Sequence, residues 1–339
     1  MKTMTMTMNA SRWSCFVLTM LGLTIAVGAQ SKSTEQETST FKLSNVRIRD
    51  PFILADKATK TYYLCVSLRV SEGRRHHGVG VYTSKDLENW QGPFTVFEVP
   101  KDFWAQEGIW APELHAYKGK YYLFLTFNTD DKFPEQWPNW HPKVKRGSQV
   151  LVGDSVMGPY RPFHNRAHTP VNMMTLDGTL WVEDGIPYMV YCHEWVQIKD
   201  GTIELIRLKD GLSEVLGESV TLFKASDAPW TPQNRDRYVT DGCFLYRTKT
   251  GKLLMIWSSF TSRGYTTGIA VSHSGKVKGP WGHEPEPLIT NDAGHGMIFR
   301  KFDGTLMLVL HSPNRGPDER ARLFELEDTG DTIRIKSEG

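Results

Sequence analysis

The stretch Arg49-Asp50-Pro51-Phe52-Ile53-Leu54 has four counterparts further along the chain. They are Trp110-Ala111-Pro112-Glu113-Leu114-His115, Leu176-Asp177-Gly178-Thr179-Leu180-Trp181, Thr240-Asp241-Gly242-Cys243-Phe244-Leu245 and Gly294-His295-Gly296-Met297-Ile298-Phe299. At the second position the copies read Asp50, Ala111, Asp177, Asp241 and His295; at the third they read Pro, Pro, Gly, Gly, Gly. Successive second positions lie 61, 66, 64 and 54 residues apart (111−50, 177−111, 241−177, 295−241). A period of that size marks a stacked or radial repeat. In a radial arrangement the second positions meet at one axis, and three of them are carboxylates.

The segments after each copy repeat too. A turn such as Lys118-Gly119-Lys120, Asp184-Gly185 or Asp303-Gly304 separates the motif from a second apolar run, as at Tyr121–Leu125, Ile186–Tyr191 and Thr305–Leu310. These are hairpin signals in matching places. A third run follows in every unit, from Gly80–Ser84 to Arg322–Leu326, and three units then carry a Gly-Pro corner, at Gly92-Pro93, Gly158-Pro159 and Gly279-Pro280. No long amphipathic helix interrupts them. Three or four strands repeated five times predict an all-β chain folded as a single-domain five-bladed β-propeller. A β-sandwich with irregular loops is the competing architecture.

Of the 339 residues 40% are hydrophobic, enough for a large core in one all-β domain. Residues 1–29 read as a secretory signal: Lys2 and Arg12 are basic, Phe16–Val27 is apolar but too short to span a bilayer, and Val27-Gly28-Ala29 offers small residues for cleavage. Removing Lys2 and Arg12 takes the formal charge from +2 to near zero (2−2=0), which gives nucleic acid or an anionic membrane no electrostatic hold. The leader suggests a bacterial periplasmic or secreted protein with no membrane attachment once it is cleaved. Residues 30–40 are a polar, flexible lead-in, and 41–339 the propeller. Cys65, Cys192 and Cys243 remain after cleavage; they sit in apolar strands, match no zinc spacing, and read as small buried hydrophobes.

Strand direction brings the loops after each second strand back to the face that carries Asp50. That face is expected to gather Leu68–His77, Asn128–Gly147, His193-Glu194-Trp195, Phe260–Gly264 and His311–Arg320. Carboxylates, arginines and tryptophans together suit a hydroxyl-rich neutral ligand such as a sugar. Glycoside cleavage needs one protonated and one ionised carboxyl, and a third carboxylate nearby raises the acid's pKa. Asp50, Asp177, Asp241 and Glu194 are the candidates. Taken singly, Asp-Pro and Asp-Gly steps only make turns; three at equivalent positions point to catalysis.

The five motifs, from about Val46 to Leu326, resemble glycoside hydrolase family 43. The resemblance implies a five-bladed, mostly inverting glycosidase acting on arabinose-, xylose- or galactose-containing polysaccharides. It implies that Asp50 is the general base, that Asp177 tunes and orients the acid, and that His295 lies at the axis, where in some relatives it helps to hold a metal ion, here a calcium, through water. The fourth blade departs from the family: Thr240-Asp241-Gly242-Cys243 stands where a Glu-Gly-Pro or Glu-Ala-Pro step is usual. Either Asp241 is the acid or another group is, and Glu194, longer and flanked by His193 and Trp195, is favoured. Trp110, Glu113, His193, Trp195 and Arg320 are the expected substrate contacts. The leading reading is an inverting exo-glycosidase releasing terminal L-arabinofuranosyl or D-xylosyl units, with no cofactor required. A carbohydrate-binding propeller without activity is the alternative, and a retaining fructan hydrolase a third.

Overall fold

The computed structural model describes residues 40–68 and 77–336, so the expected leader (1–29), nearly all of the lead-in and most of the Leu68–His77 loop lie outside the described residues. Each motif opens the innermost strand of its own antiparallel sheet, five sheets in all. The inner strands are Phe52–Asp56, Gly108–Tyr117, Thr175–Glu183, Asp241–Arg247 and Gly294–Arg300. They touch in sequence around a closed ring, the fifth against the first. This is the five-bladed propeller, and the sandwich is set aside.

The second strand of each blade is buried on both faces, because neighbouring blades pack against it from either side. That is why it reads as a continuous apolar run rather than an alternation. In Lys120–Lys132 eight successive residues are buried, Tyr122 to Thr129; in Leu253–Thr261 the first seven are. Outer strands such as Asn89–Glu98 and Val215–Lys224 are mostly exposed or half-buried. The core therefore lies between blades. Trp257, fully buried, joins blades three and four, while Leu123, Phe127 and Trp90 belong to the layer shared by blades one and two.

The ring is closed by the start of the chain. Thr40–Lys42 adds a fifth strand to the first blade, paired with Asn89–Gln91, so the expected lead-in is already structured at Thr40. The chain then crosses to blade five, where Arg47 bridges to Arg320 and the amide of Ile48 donates to the Glu319 carbonyl at 3.2 Å.

The motif has one backbone signature. Asp50, Ala111, Asp177 and His295 adopt left-handed φ values of 51°, 42°, 55° and 51°. In the fourth blade the left-handed residue is Gly242, φ 55°, not Asp241. Strand pairing agrees. It breaks after Trp110, Leu176, Asp241 and Gly294 and resumes at Glu113, Thr179, Phe244 and Met297. Asp241 is thus the first residue of its copy and Gly242 the second, one place from the sequence alignment. The axial second positions are 61, 66, 65 and 53 residues apart (111−50, 177−111, 242−177, 295−242).

Left-handed backbone favours glycine, and at Gly242 the neighbours demand it as well: a Cβ there would lie 2.7 Å from the His295 ring. Gly242→Ala should lower stability by more than about 1 kcal/mol in a thermal or denaturant melt. Ala111→Gly, which relieves the same backbone conformation where nothing crowds it, should leave the melting temperature unchanged or raise it.

Candidate active site

Left-handed turns bring Asp50, Ala111, Asp177 and His295, with the bare Gly242, to one axis, and four of the second-position amides anchor them to the preceding blade. The Asp50 amide donates to His311 Nδ1 at 3.2 Å, that of Asp177 to Thr126 Oγ1 at 2.9 Å, and that of His295 to Ser258 Oγ at 2.8 Å. The Gly242 amide makes the equivalent bond, but its acceptor is Oδ2 of Asp177, at 3.0 Å. The fourth blade therefore uses its axial backbone to hold a candidate catalytic carboxylate.

Over this axis opens a cavity of about 480 Å³ lined by Asp50, Asp177, Asp241, Glu194 and His295 among others. Its walls include Arg47, Arg49, Trp110, Trp195 and Phe260. Trp110 and Phe260 are exposed, at 41% and 42%, leaving aromatic surface where a sugar face would sit.

Buried carboxylates this close repel one another, and His295 is placed to offset that. Its Nδ1 is 3.1 Å from Asp50 Oδ1 and 3.6 Å from Asp177 Oδ2. Burial alone would lower the imidazole's pKa; the charges of Asp50, Asp177 and Asp241 overcome it and push it up to about 10. For Asp50 burial works upward, yet the charges of His295 and Arg49 hold its carboxyl well below the usual carboxylate range. Arg49 Nε is 3.6 Å from Asp50 Oδ2. His311 is the neutral neighbour. Burial lowers its pKa, Nδ1 accepts the Asp50 amide, and Nε2 lies 3.2 Å from Asn314 Oδ1, which fixes the proton on Nε2.

Asp177 and Asp241 go the other way. Burial raises both; for Asp177 the charges of Asp241 and Asp50 add to that, and His295 opposes it in each. Because the charge of Asp241 raises the Asp177 pKa, the titration of the two belongs to the pair. Tyr265 donates its hydroxyl to Asp241 Oδ2 at 3.0 Å, fixing that carboxyl and leaving Oδ1 as the freer oxygen.

Glu194 is also in the cavity wall, but it carries a cation. Arg146 bonds it through NH1, lies 4.0 Å over the Trp110 ring, and donates Nε to Asn128 Oδ1 at 2.5 Å. Burial raises the Glu194 pKa and Arg146 opposes the rise. Trp195 begins the short helix Trp195–Ile198, and Arg237 lies 5.1 Å over its ring.

Three expected contacts fall elsewhere. Glu113 is buried between blades with Oε2 2.7 Å from His115 Nε2, because three residues past Trp110 the resumed strand turns it away from the axis. His193 faces Gln197 Oε1 at 2.7 Å. Arg320 spends its guanidinium on the carbonyls of Ser44, Pro317 and Glu319, at the ring closure. The arginines that do line the cavity are Arg47 and Arg49, both anchored on buried Glu319 at 2.8 and 2.9 Å. Trp137, Trp140 and His141 of the Asn128–Gly147 insertion stand outside the cavity lining. Trp140 donates to the Val196 carbonyl at 2.8 Å and packs edge-on against Trp195, so the insertion braces the wall rather than forming it. Arg146, Tyr265 and His311 were not legible from the repeat, because each lies on a second or third strand whose neighbours are set by blade packing.

A water-held metal ion would be met here by His295, whose Nδ1 already faces Asp50 and Asp177, so that Nε2 is the ring nitrogen left to accept from metal-bound water. Among the described residues no three His, Cys, Asp or Glu side chains form a metal-binding group. Cys65, Cys192 and Cys243 are buried free thiols.

A propeller whose axis gathers paired carboxylates under an aromatic-rimmed cavity has the anatomy of a glycoside hydrolase. The family model for glycosyl hydrolases family 43 matches residues 43–331, and the chain belongs to that family. An endo-arabinase from Bacteroides thetaiotaomicron is 40% identical, superposes with a TM-score of 0.75, and is matched over 86% of this chain and 98% of its own. An α-L-arabinofuranosidase from Lactobacillus brevis, 18% identical with a TM-score of 0.68 over 86% and 97% of the two chains, shares the fold. So does a xylan β-1,4-xylosidase from Bacillus halodurans, 18% identical with a TM-score of 0.64, over 87% of this chain and 57% of its own. No curated protein matches the chain.

His295 supplies a measurement. Its folded pKa is above the ordinary 6.5, so its contribution to stability is complete below pH 6.5 and disappears as pH rises through about 10. Histidine NMR at pH 8 should show one imidazole still protonated; in Asp50→Asn that ring should titrate at a lower pH.

Proposed function

We propose that the protein hydrolyses α-L-arabinofuranosyl linkages with inversion, cutting within arabinan chains rather than only releasing terminal units. The observation that carries the chemistry is the opposed protonation of the axial carboxylates: Asp50 is held ionised while Asp177 and Asp241 are driven toward the protonated form. That is the division of labour an inverting glycosidase requires. The sugar is supported by the 40%-identical relative described as an endo-arabinase. Internal cleavage replaces the exo reading of the sequence on the same support, together with exposed Trp110 and Phe260 at the cavity, which suit a chain continuing outward.

In this reading Asp50 takes a proton from water as the water attacks the anomeric carbon. Asp241, rather than Glu194, protonates the departing oxygen. It occupies the first position of the fourth motif, where the family pattern carries its Glu, and Tyr265 fixes its carboxyl. Glu194 instead faces Arg146, which favours its ionised form, and holds Arg146 over Trp110. Asp177, tethered by the Gly242 amide, keeps Asp241 protonated by charge repulsion. His295 keeps the three carboxylates together without acting on substrate. The protein works in the periplasm or outside the cell, on carbohydrate, with no required cofactor.

Asp50→Asn should lower kcat on linear arabinan by about 10²–10⁴-fold. Asp241→Asn should lose a comparable factor on arabinan, but much less on an aryl arabinoside whose leaving group needs little protonation. Glu194→Gln should show no such dependence on the leaving group; if it does and Asp241→Asn does not, the two roles are reversed. Proton NMR of the first-formed product should show the inverted anomer.

The pH profile follows from the same groups. Activity should hold on the acid side below the ordinary carboxylate range, where Asp50 is still ionised, and fall on the alkaline side as the Asp177–Asp241 pair loses its proton. Replacing Asp177 by Asn should move the alkaline limb to lower pH, measured as kcat/KM against pH.

A further inference from the structure

A second cavity, of about 560 Å³, lies between blades two and three. Arg146 stands in its wall and also holds Glu194 and covers Trp110, both of which line the catalytic cavity. One guanidinium is therefore the partition between the two spaces. Arg146 comes three residues into the strand Val144–Gly153, whose first residues follow the insertion on the catalytic face.

The second cavity is built rather than incidental. Gly147 lets the segment carrying Ala167 lie directly on this strand; a Cβ there would be 2.5 Å from the Ala167 methyl. The Trp104 indole is fixed in the wall by donating Nε1 to Gln149 Oε1 at 2.7 Å. His168 is locked by Val150 and Leu212 as a neutral ring, burial bringing its pKa down to about 4. Arg166 lines the cavity, is exposed, and among the described residues makes no hydrogen bond or ion pair. The rim carries Val171, 82% exposed. An aromatic ring among hydrogen-bonding side chains is the chemistry of a saccharide site, and the three cations of the lining, Lys145, Arg146 and Arg166, are partly answered by Glu214 within it and by Asp131 and Glu194 beside it.

We propose that this cavity is a distal subsite for the same polysaccharide chain that is cut over Asp50, the chain passing across Trp110 and Arg146 from one space to the other. It rests on the arabinan reading. The partition makes the two spaces consecutive, so a sugar chain too long for the first enters the second without leaving the protein. Affinity then grows with chain length, while the reacting sugar meets the same groups throughout.

The test is kcat/KM on linear α-1,5-arabino-oligosaccharides from disaccharide to octasaccharide, for the full protein and for Arg166→Ala and Trp104→Ala. The unaltered protein should gain with length until both cavities are spanned. Each variant should lose about tenfold on the octasaccharide, through KM, and keep its rate on the shortest substrate it cleaves. Arg166→Ala alters an exposed side chain and decides the matter if Trp104→Ala fails to fold. An unchanged length dependence in Arg166→Ala overturns the subsite and leaves the arabinan reading standing. Failure of the unaltered protein to cleave any of these sugars overturns that reading, and the subsite with it.

Discussion

The protein depends on holding Asp50, Asp177 and Asp241 together at a buried axis without letting their repulsion open the ring. One cation inserted among them does most of this. His295 faces Asp50 and Asp177 through one nitrogen, and their combined charge keeps it protonated far above the ordinary imidazole range. Arg49 supports Asp50 from the other side, and its own position is set by Glu319. The arrangement is asymmetric. The carboxylate nearest both cations is ionised, whereas the two farther from Arg49 are pushed toward the protonated form. A base and an acid arise from the same residue type because their neighbours differ.

The closure of the ring and the electrostatics of the site are the same structure seen twice. The chain enters through Arg47, Ile48 and Arg49, and these residues both pin the first blade to Glu319 of the fifth and line the catalytic cavity. Blade packing supplies the rest. The second strands carry Thr126, Ser258 and His311, each of which takes up an amide of the next inner strand. The left-handed turn at every axial position is strained for all but glycine, and it persists because both sides of the turn are held.

Much of this was legible in the chain. The repeat of Arg49-Asp50-Pro51 with its four counterparts fixes blade number and names Asp50, Asp177 and His295, since a left-handed bulge accepts few sequences. The turns between apolar runs fix the hairpins, since local chemistry determines them. The fourth motif was read one residue early. Thr240-Asp241-Gly242 looks like Leu176-Asp177-Gly178, but only the crowding against His295 shows that Gly242, and not Asp241, takes the axial turn. Glu113 was expected at the sugar because it follows its motif in sequence, and Arg320 because the family resemblance implies a sugar-binding arginine there. A bulge reverses the face for Glu113, and the closing segment claims Arg320.

What the sequence determined by itself is the part governed by short range: strand period, turn positions, the recurring bulge, and the presence of three carboxylates and a histidine in it. Which charges meet is set by long-range packing. Whether Glu194 faces an arginine and whether a second cavity adjoins the first depend on side chains from different blades, and whether Asp241 accepts a hydrogen bond from a tyrosine depends on a non-adjacent strand of its own blade. Arg146 reaches Glu194 across 48 residues and Tyr265 reaches Asp241 across 24. Contacts between blades set protonation, because desolvation and Coulomb forces act through space and not along the chain.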